Sequence, residues 1–164
     1  MPFAVPWTDT LDHDDFVAFH RAAWQAWSPD EWQCNFVTFL DGRAIGTQAL
    51  VAKDFRSTRT VESGSWLGKQ FQGLGYGTEQ RAAVLELAFR GLGADAAVTG
   101  ALLTNPASAR VSEKLGYRMT GITQIAPRGE PVDHFNYRIE RTGWQSPFAI
   151  DLDEVDPARP LFGA

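Results

Sequence analysis

A glycine-rich turn in the middle of the chain carries the clearest chemical signal. Its residues are Gln72, Gly73, Leu74, Gly75, Tyr76, Gly77 and Thr78, and a helical run of residues 79–90 follows them. Glycine at alternate positions removes Cβ atoms, so several backbone N–H groups can converge in front of the helix. The unpaired amides and the dipole of a helix N-terminus both favour an anion. The sequence therefore predicts a site for a pyrophosphate-bearing cofactor at this turn.

Spacing excludes two commoner glycine-rich loops. A nucleoside-triphosphate loop has a Lys-Ser or Lys-Thr pair at the start of its helix. Here Lys69 precedes the turn, and the residue after Lys69 is Gln70 rather than serine or threonine. A dinucleotide fingerprint that starts at Gly75 would place its third glycine or alanine at Gln80. The pattern that remains is Gln-x-x-Gly-x-Gly at residues 72–77.

This pattern resembles the acyl-CoA-binding signature of the GCN5-related N-acetyltransferases (GNAT). A second segment also resembles that family, because Asn105-Pro106-Ala107-Ser108 and the later Gly116-Tyr117 pair match its helix and following strand. The resemblance implies that the amides of residues 72–78 hold the CoA pyrophosphate. It also implies that Trp66 and Leu67 pair with the pantetheine arm like an extra strand, that Asn105 bonds that arm, and that a backbone N–H stabilises the oxyanion.

The residues that would move protons in such a reaction are less well defined. The family commonly places a tyrosine seven residues after the motif asparagine as the proton donor to sulfur, but Ser112 is found there. The branch that the chain most resembles, the ribosomal-protein N-terminal acetyltransferases, uses a serine that corresponds to Ser108. Glu62, acting through a water, is the predicted general base. The alternatives are a packing role for Ser108 and a solvated strand carboxylate at Glu62.

Two acyl groups, succinyl and acetyl, are predicted as alternatives for the group that is transferred. Several segments look like those of a succinyl-CoA-using member of the family, among them residues 53–55, 63–68, 75–79 and 159–163. A succinyl carboxylate would need a cation, for which Lys53, Arg56 and Arg59 are the candidates. Those three residues could equally belong to an exposed loop, and acetyl-CoA remains the alternative donor.

The elements that must position these residues follow from periodicity and turn signals. Helices are predicted at residues 9–27, 79–90 and 105–115, and strands at 35–40, 44–51, 61–67, 95–102, 117–125 and 134–139, with an Asp41-Gly42 hairpin. They predict an α/β fold of the GNAT type, with a mixed, mostly antiparallel sheet flanked by helices. The family's first strand is predicted to be missing or replaced by the arm of residues 1–7.

Composition limits the partners. The chain has 164 residues and is predicted to form one acyltransferase domain at residues 1–144, with a C-terminal arm at 145–164 that packs on the domain or on a second subunit. A net charge of −5 argues against nucleic acid and favours an amine substrate. The three histidines lack metal spacing, and Cys34 has no disulfide partner. Without a signal-peptide pattern or a long apolar span, no membrane contact and a cytoplasmic location are predicted.

The predicted function is therefore CoA-dependent N-acyl transfer to an amine, by direct attack in a ternary complex. The amine would be a protein N-terminus, a lysine or a small molecule, with acetyl-CoA or succinyl-CoA as donor, no metal, and a homodimer or higher homo-oligomer as the assembly. Two alternatives stand beside it. One is a catalytically weak acyl-CoA-sensing domain, and the other is a nucleotide-dependent enzyme.

Overall fold

The computed structural model describes residues 13–126 and 129–164. One six-stranded sheet runs through this part of the chain in the order β1-β2-β3-β4-β6-β5. The strands are β1 (Trp32–Leu40), β2 (Arg43–Ala52), β3 (Thr60–Leu67), β4 (Ala96–Leu102), β5 (Arg118–Ile125) and β6 (Val132–Glu140). The helices are α1 (His13–Gln25), α2 (Phe55–Thr58), α3 (Tyr76–Glu86), α4 (Pro106–Lys114) and α5 (Val155–Ala158). The predicted α/β class is confirmed.

All six predicted strands are present. Four of them are longer than predicted, and β4 and β5 each start one residue later. β1 and β2 form the antiparallel hairpin around Asp41 and Gly42, and β1 pairs with β2 alone, so it is one edge of the sheet. Within the described residues, α1 is the first element and no strand precedes it. The arm of residues 1–7, predicted to replace the family's first strand, lies outside the described residues.

Two details differ from the prediction. The segment between the predicted strands 44–51 and 61–67, where no helix was predicted, contains the short helix α2, because Phe55 is fully buried and anchors it to the core. The long helix predicted to end at Arg90 is α-helical only to Glu86, and Leu87–Gly91 forms a π-helical turn. Neither a local propensity nor the hydrophobic period indicates a single buried aromatic or a π turn.

The two faces of the sheet carry different helices. Alternate residues of a strand point to opposite faces. Thr38 of β1 bonds Gln80 of α3, whereas Asn35 of the same strand contacts His20 of α1. Helix α3 therefore lies on the face opposite to α1. The hydrophobic core fills the α3 side, with Leu50, Val61, Leu85, Ala88 and Tyr137 among its buried members.

The C-terminal residues return to the body of the same chain. Phe162 contacts the rings of Trp27 and Trp32 edge-on, with centroids 5.0 and 4.9 Å apart. Both tryptophans also donate their indole N–H to backbone carbonyls of this segment, from Trp27 to Leu161 at 2.8 Å and from Trp32 to Phe162 at 3.2 Å. The predicted boundary between residues 144 and 145, and any contact with a second copy, stay predictions.

The separation of β3 from β4 positions the site. The two strands pair in parallel only over Thr60–Ala96, Val61–Ala97 and Glu62–Val98. The hydroxyl of Thr99 then donates to the carbonyl of Ser63 at 2.8 Å, and beyond this bond the strands diverge while each continues to its own end. A wedge-shaped opening therefore crosses the middle of the sheet.

Candidate acyl-CoA cleft

A cavity of about 740 Å³ occupies this opening and reaches both faces of the sheet. On the α3 side it is lined by Gln80, Arg81 and Val111, and on the α1 side by His20 and Asn35. A ligand placed between the diverging strands could thus present one end to the α3–α4 side and the other to the α1 side. This arrangement suits a reaction in which two substrates approach from opposite faces.

The glycine-rich turn closes the α3 end of the cleft and offers free amides. Within the described chain, the N–H groups of residues 73–77 donate no hydrogen bond, and residues 73–75 are exposed. Gly73 and Gly75 have φ of 78° and 96°, a backbone conformation that side chains rarely allow. The Thr78 amide is different, because it donates to the Gly75 carbonyl at 2.9 Å. Five amides therefore stand ready for an anion, and only the hydroxyl of Thr78 could join them.

The strand that leads to this turn is held open as well. The Gln72 side chain donates to the Leu67 carbonyl at 2.9 Å and fixes the turn to the end of β3. Trp66 and Leu67 line the cleft on the stretch of β3 that has no β4 partner. This edge is where an extended pantetheine arm could add like a strand.

Helix α4 supplies the opposite wall. Asn105 caps the helix, since its Oδ1 accepts from the Ser108 amide at 3.2 Å, and Pro106 occupies the first turn as predicted. Both Asn105 and Ser108 line the cleft, one helical turn apart. The Asn105 side-chain NH₂ and the Ser108 hydroxyl make no hydrogen bond among the described residues, so both are available to a ligand.

The candidate base Glu62 and the residue at the family's tyrosine position both lie outside the cleft lining. Glu62 is exposed on β3, at the last position where that strand pairs with β4. Ser112, at the family's tyrosine position, is fully buried, donates to the Ser108 carbonyl at 3.2 Å and accepts from Arg81 at 2.9 Å. The structure thus gives Ser112 a role in packing α4 and α3 together.

His134 is a cleft residue that sequence reasoning missed. It lines the cavity from β6, and its ring lies over Gly100 of β4. A Cβ at Gly100 would come within 1.9 Å of the His134 Cε1 atom, so only glycine leaves room for this ring position. The signal in the sequence was a glycine inside a predicted strand, which marks a close approach by another group.

A short hydrogen-bond chain connects His134 with Asn136 and Thr123. Asn136 donates through Nδ2 to the Thr123 hydroxyl at 3.2 Å, which leaves its Oδ1 facing the His134 Nδ1 at 3.1 Å. An amide oxygen can only accept, so Nδ1 carries the proton and Nε2 keeps a lone pair in the neutral ring. His134 therefore presents a proton acceptor to the cleft.

A second histidine faces the same space from α1. His20 is half-buried, its Nδ1 lies 3.4 Å from the Asn35 side-chain nitrogen, and its ring meets Phe16 edge-on at 4.5 Å. An amide NH₂ can only donate, so the His20 Nδ1 is the acceptor of this bond. His20 thus uses one lone pair within the protein, whereas Nε2 of His134 lies at the end of its network.

Arg81 is the buried cation of the cleft. Only 3% of its surface is exposed, and it donates through Nη1 to Ser112 at 2.9 Å and through Nη2 to Ser65 at 3.0 Å. Its Nε–H is buried without a partner, and within the described residues it forms no ion pair. Burial lowers the pKa of Arg81, an effect that the nearby Tyr117 hydroxyl opposes. Burial also raises the pKa of Tyr117, so that hydroxyl stays neutral.

The cations predicted for a donor carboxylate lie elsewhere. Lys53 and Arg56 are exposed, and Arg56 pairs with Asp30 at 3.6 Å. Arg59 lies over the Phe55 ring at 5.2 Å. None of the three lines the cleft. They surround helix α2, at the opposite end of β3 from the glycine-rich turn.

Residues 13–126 and 129–164 contain no group of three or more His, Cys, Asp or Glu side chains placed to hold a metal ion. Within the same ranges, none of the helices combines the length and the apolar character needed to cross a bilayer.

Comparison with known proteins gives a consistent family. The sequence profile of the acetyltransferase (GNAT) domain matches residues 1–118. A GNAT-family acetyltransferase from Bacillus anthracis superposes with a TM-score of 0.60 at 27% identity, over 66% of each chain. A variant of the spermidine N-acetyltransferase from Vibrio cholerae gives 0.68 at 16% identity, over 80% of this chain and 76% of the other. The ribosomal-protein-S5-alanine acetyltransferase from Vibrio fischeri gives 0.63 at 18%, over 80% and 69%.

Proposed function

The chain belongs to the GNAT acetyltransferase family, and from this premise we propose that it is a CoA-dependent N-acyltransferase. It moves an acetyl or succinyl group from acyl-CoA to an amine by direct attack in a ternary complex. The observation that carries the proposal is the cleft between β3 and β4, closed by a turn in which the amides of residues 73–77 bond no group of the described chain. These amides lie at the N-terminus of α3, where the helix dipole also favours an anion.

The residues that would hold acyl-CoA form a continuous path. The amides of Gly73, Leu74, Gly75, Tyr76 and Gly77 would bind the pyrophosphate at the N-terminus of α3, with the Thr78 hydroxyl beside them. Trp66 and Leu67, on the stretch of β3 that does not pair with β4, would pair with the pantetheine arm, and Gln72 would keep that stretch and the turn together. Asn105 would donate its free NH₂ group from the other wall.

We assign the general base to His134 in preference to Glu62. The amine nitrogen must lose a proton when its C–N bond to the acyl carbon forms, and an acceptor in the cleft can take it. His134 offers a free Nε2 lone pair there, whereas Glu62 lies outside the lining and could act only through a chain of waters. Histidine is the side chain that most often serves as a general acid or base in enzymes.

Ser108 would complete the proton balance. As the C–S bond breaks, the departing thiolate takes a proton from a donor, and a thiol pKa of about 8.5 demands only a modest acid. The Ser108 hydroxyl has no hydrogen-bond partner among the described residues and faces the cleft beside Asn105. The serine would then recover its proton from solvent, while the base releases the amine proton.

The acceptor would enter from the α1 face. Asp15, Asn35, His20 and His134 line that side and supply polar contacts for an ammonium or amine, and the net charge of −5 favours a cation. A polyamine, a lysine and a protein N-terminus all meet this chemistry. We place the enzyme in the cytoplasm, with the catalytic domain at residues 1–144 and the arm of residues 145–164 available to a homodimer.

Calorimetry with CoA, acetyl-CoA, ATP and NAD tests the cofactor. The proposal expects micromolar CoA binding without binding of the two nucleotides, and nucleotide binding without CoA binding would overturn it. Thiol release from acetyl-CoA and succinyl-CoA is then followed with spermidine, an alanine-initiated peptide and a lysine peptide. Binding without turnover on any amine would favour the acyl-CoA-sensing alternative.

Three variants test the residue roles with the acceptor found in that screen. His134→Gln should lower kcat by about 100-fold or more, since positioned acid–base groups contribute roughly 10² to 10⁴. Ser108→Ala should lower kcat with little change in the Kd of CoA. Glu62→Gln should retain activity, and a loss at Glu62 that matches His134 in size would restore the carboxylate as the base.

A further inference from the structure

Arg81 is a buried cation without a negatively charged partner among the described residues. Only 3% of Arg81 is exposed, yet within the described residues the hydrogen-bond partners of its side chain are the neutral hydroxyls of Ser65 and Ser112. Removing a charge from water costs several kcal/mol unless an opposite charge compensates it. Its Nε–H adds an unsatisfied buried donor. A buried, unpaired cation at the wall of a ligand cleft calls for an anion that arrives with the ligand.

The position of Arg81 identifies the end of the ligand. It is five residues beyond the start of α3, about 7.5 Å along the helix axis at 1.5 Å per residue, and within the described residues its side chain bonds Ser65 and Ser112 rather than the glycine-rich turn. The Nη2 atom instead reaches Ser65, the residue before Trp66 on the open edge of β3. The free amides already provide for the pyrophosphate. Arg81 therefore faces the part of the cleft assigned to the thioester and the acyl chain.

The wall around Arg81 is also built to keep the guanidinium in place. Ser112 is fully buried and donates its own proton to the Ser108 carbonyl, so its oxygen is turned toward the Arg81 Nη1. The three elements β3, α3 and α4 thus share one fork of hydrogen bonds. A planar guanidinium with unused N–H groups on a fixed frame is suited to a carboxylate.

We propose that Arg81 forms a subsite for a carboxylate at the far end of the donor's acyl chain, so that the enzyme selects a CoA thioester of a dicarboxylic acid. This inference rests on the proposed function and names the donor class for the same cleft. It moves the expected cation from Lys53, Arg56 and Arg59, which lie around α2, to the cleft wall. An uncharged acyl chain would leave the guanidinium uncompensated.

The test compares three donors with the protein of residues 1–164. Succinyl-CoA and butyryl-CoA have acyl chains of equal length and differ in the terminal carboxylate, and acetyl-CoA reports on the CoA body alone. Calorimetry should give a Kd for succinyl-CoA at least tenfold lower than for butyryl-CoA. Arg81→Gln should reduce this ratio to about one and leave the Kd of acetyl-CoA within about threefold. Arg81→Lys, which keeps the charge and loses the fork, should give an intermediate ratio.

The matched control is Arg56→Gln, an arginine outside the cleft, which should leave the ratio unchanged. Circular dichroism and the melting temperature check that each variant folds, and Arg81→Met provides a second variant that removes the charge without adding a polar group. Equal binding of succinyl-CoA and butyryl-CoA by the wild-type protein overturns the inference. A ratio that survives Arg81→Gln, or an equal loss of all three donors, overturns it as well. Failure to bind any CoA compound would instead refute the proposed function.

Discussion

Substitution of Gly100 by alanine tests whether His134 acts from the position that the structure gives it. The new Cβ would lie 1.9 Å from the His134 Cε1 atom and 2.2 Å from Nε2, whereas an ordinary contact needs at least 3.4 Å. The ring must therefore retreat by about 1.5 Å. The atoms in the way belong to a side chain, so we expect a folding cost of only about 1–3 kcal/mol.

The effect on activity should be much larger than the effect on folding. A misplacement of about 1 Å can cost roughly 100-fold in rate, and His134 would also leave its hydrogen bond to Asn136. Gly100→Ala should thus lower kcat by about 100-fold, close to the loss in His134→Ala, and the double variant should lose no more than either single variant. Steady-state thiol release measures kcat, and calorimetry should show an unchanged Kd for acetyl-CoA.

Gly121→Ala is the matched control. Its Cβ would meet no atom within 4 Å, and Gly121 pairs with Asn136 on the neighbouring strand, so it tests the same region without touching the His134 ring. It should retain wild-type kcat. The reasoning fails if Gly100→Ala keeps full activity, or if the losses of Gly100→Ala and His134→Ala multiply in the double variant.

Three further predictions concern the turn, the thiol and the C-terminal segment. Gly75→Ala places a side chain at φ 96°; it should cost about 1–2 kcal/mol in urea unfolding and weaken CoA binding about tenfold, and unchanged affinity would contradict this. Burial raises the pKa of Cys34 from 9.0 to about 11, so at pH 8 its thiolate fraction and alkylation rate should be about 100-fold below those of an ordinary thiol. The rate should rise with pH toward 11, and an inflection near 9 would contradict the burial. Gly163→Ala brings a Cβ within 2.3 Å of the Pro29 carbonyl and should release the C-terminal residues to limited proteolysis, whereas wild-type resistance would show that the contact is not needed.

Local signals account for the parts of the site that the sequence predicted. Gly73 and Gly75 indicate an unusual backbone conformation, and Asn105 with Pro106 indicates the start of a helix. The alternation of apolar and polar residues predicts the strands. Each of these signals depends on residues that are close in sequence. The cleft walls at residues 66, 67, 105 and 108 follow from those elements. Their roles toward CoA remain proposals.

The site residues that the sequence did not predict depend on contacts between distant segments of the chain. His134 reaches the cleft only because Gly100, on another strand, leaves space for it, and no local pattern connects the two. Arg81 lies in a helix where a charged residue normally indicates a solvated face, and only the packing of β3 and α4 shows that it is buried. The displaced candidates Lys53, Arg56 and Arg59 show the converse, because a cluster of cations near a predicted strand does not reveal which end of the strand meets the ligand.

Titration of the ¹⁵N-labelled protein with CoA tests the central claim most directly. The amide signals of residues 73–77 should undergo the largest shifts and become protected from exchange with solvent, while the Thr78 amide, already bonded to Gly75, should change less. Dephosphorylated pantetheine should leave those five signals in place. If CoA binds and the five amides do not respond, the diphosphate lies elsewhere and the assignment of this cleft is wrong.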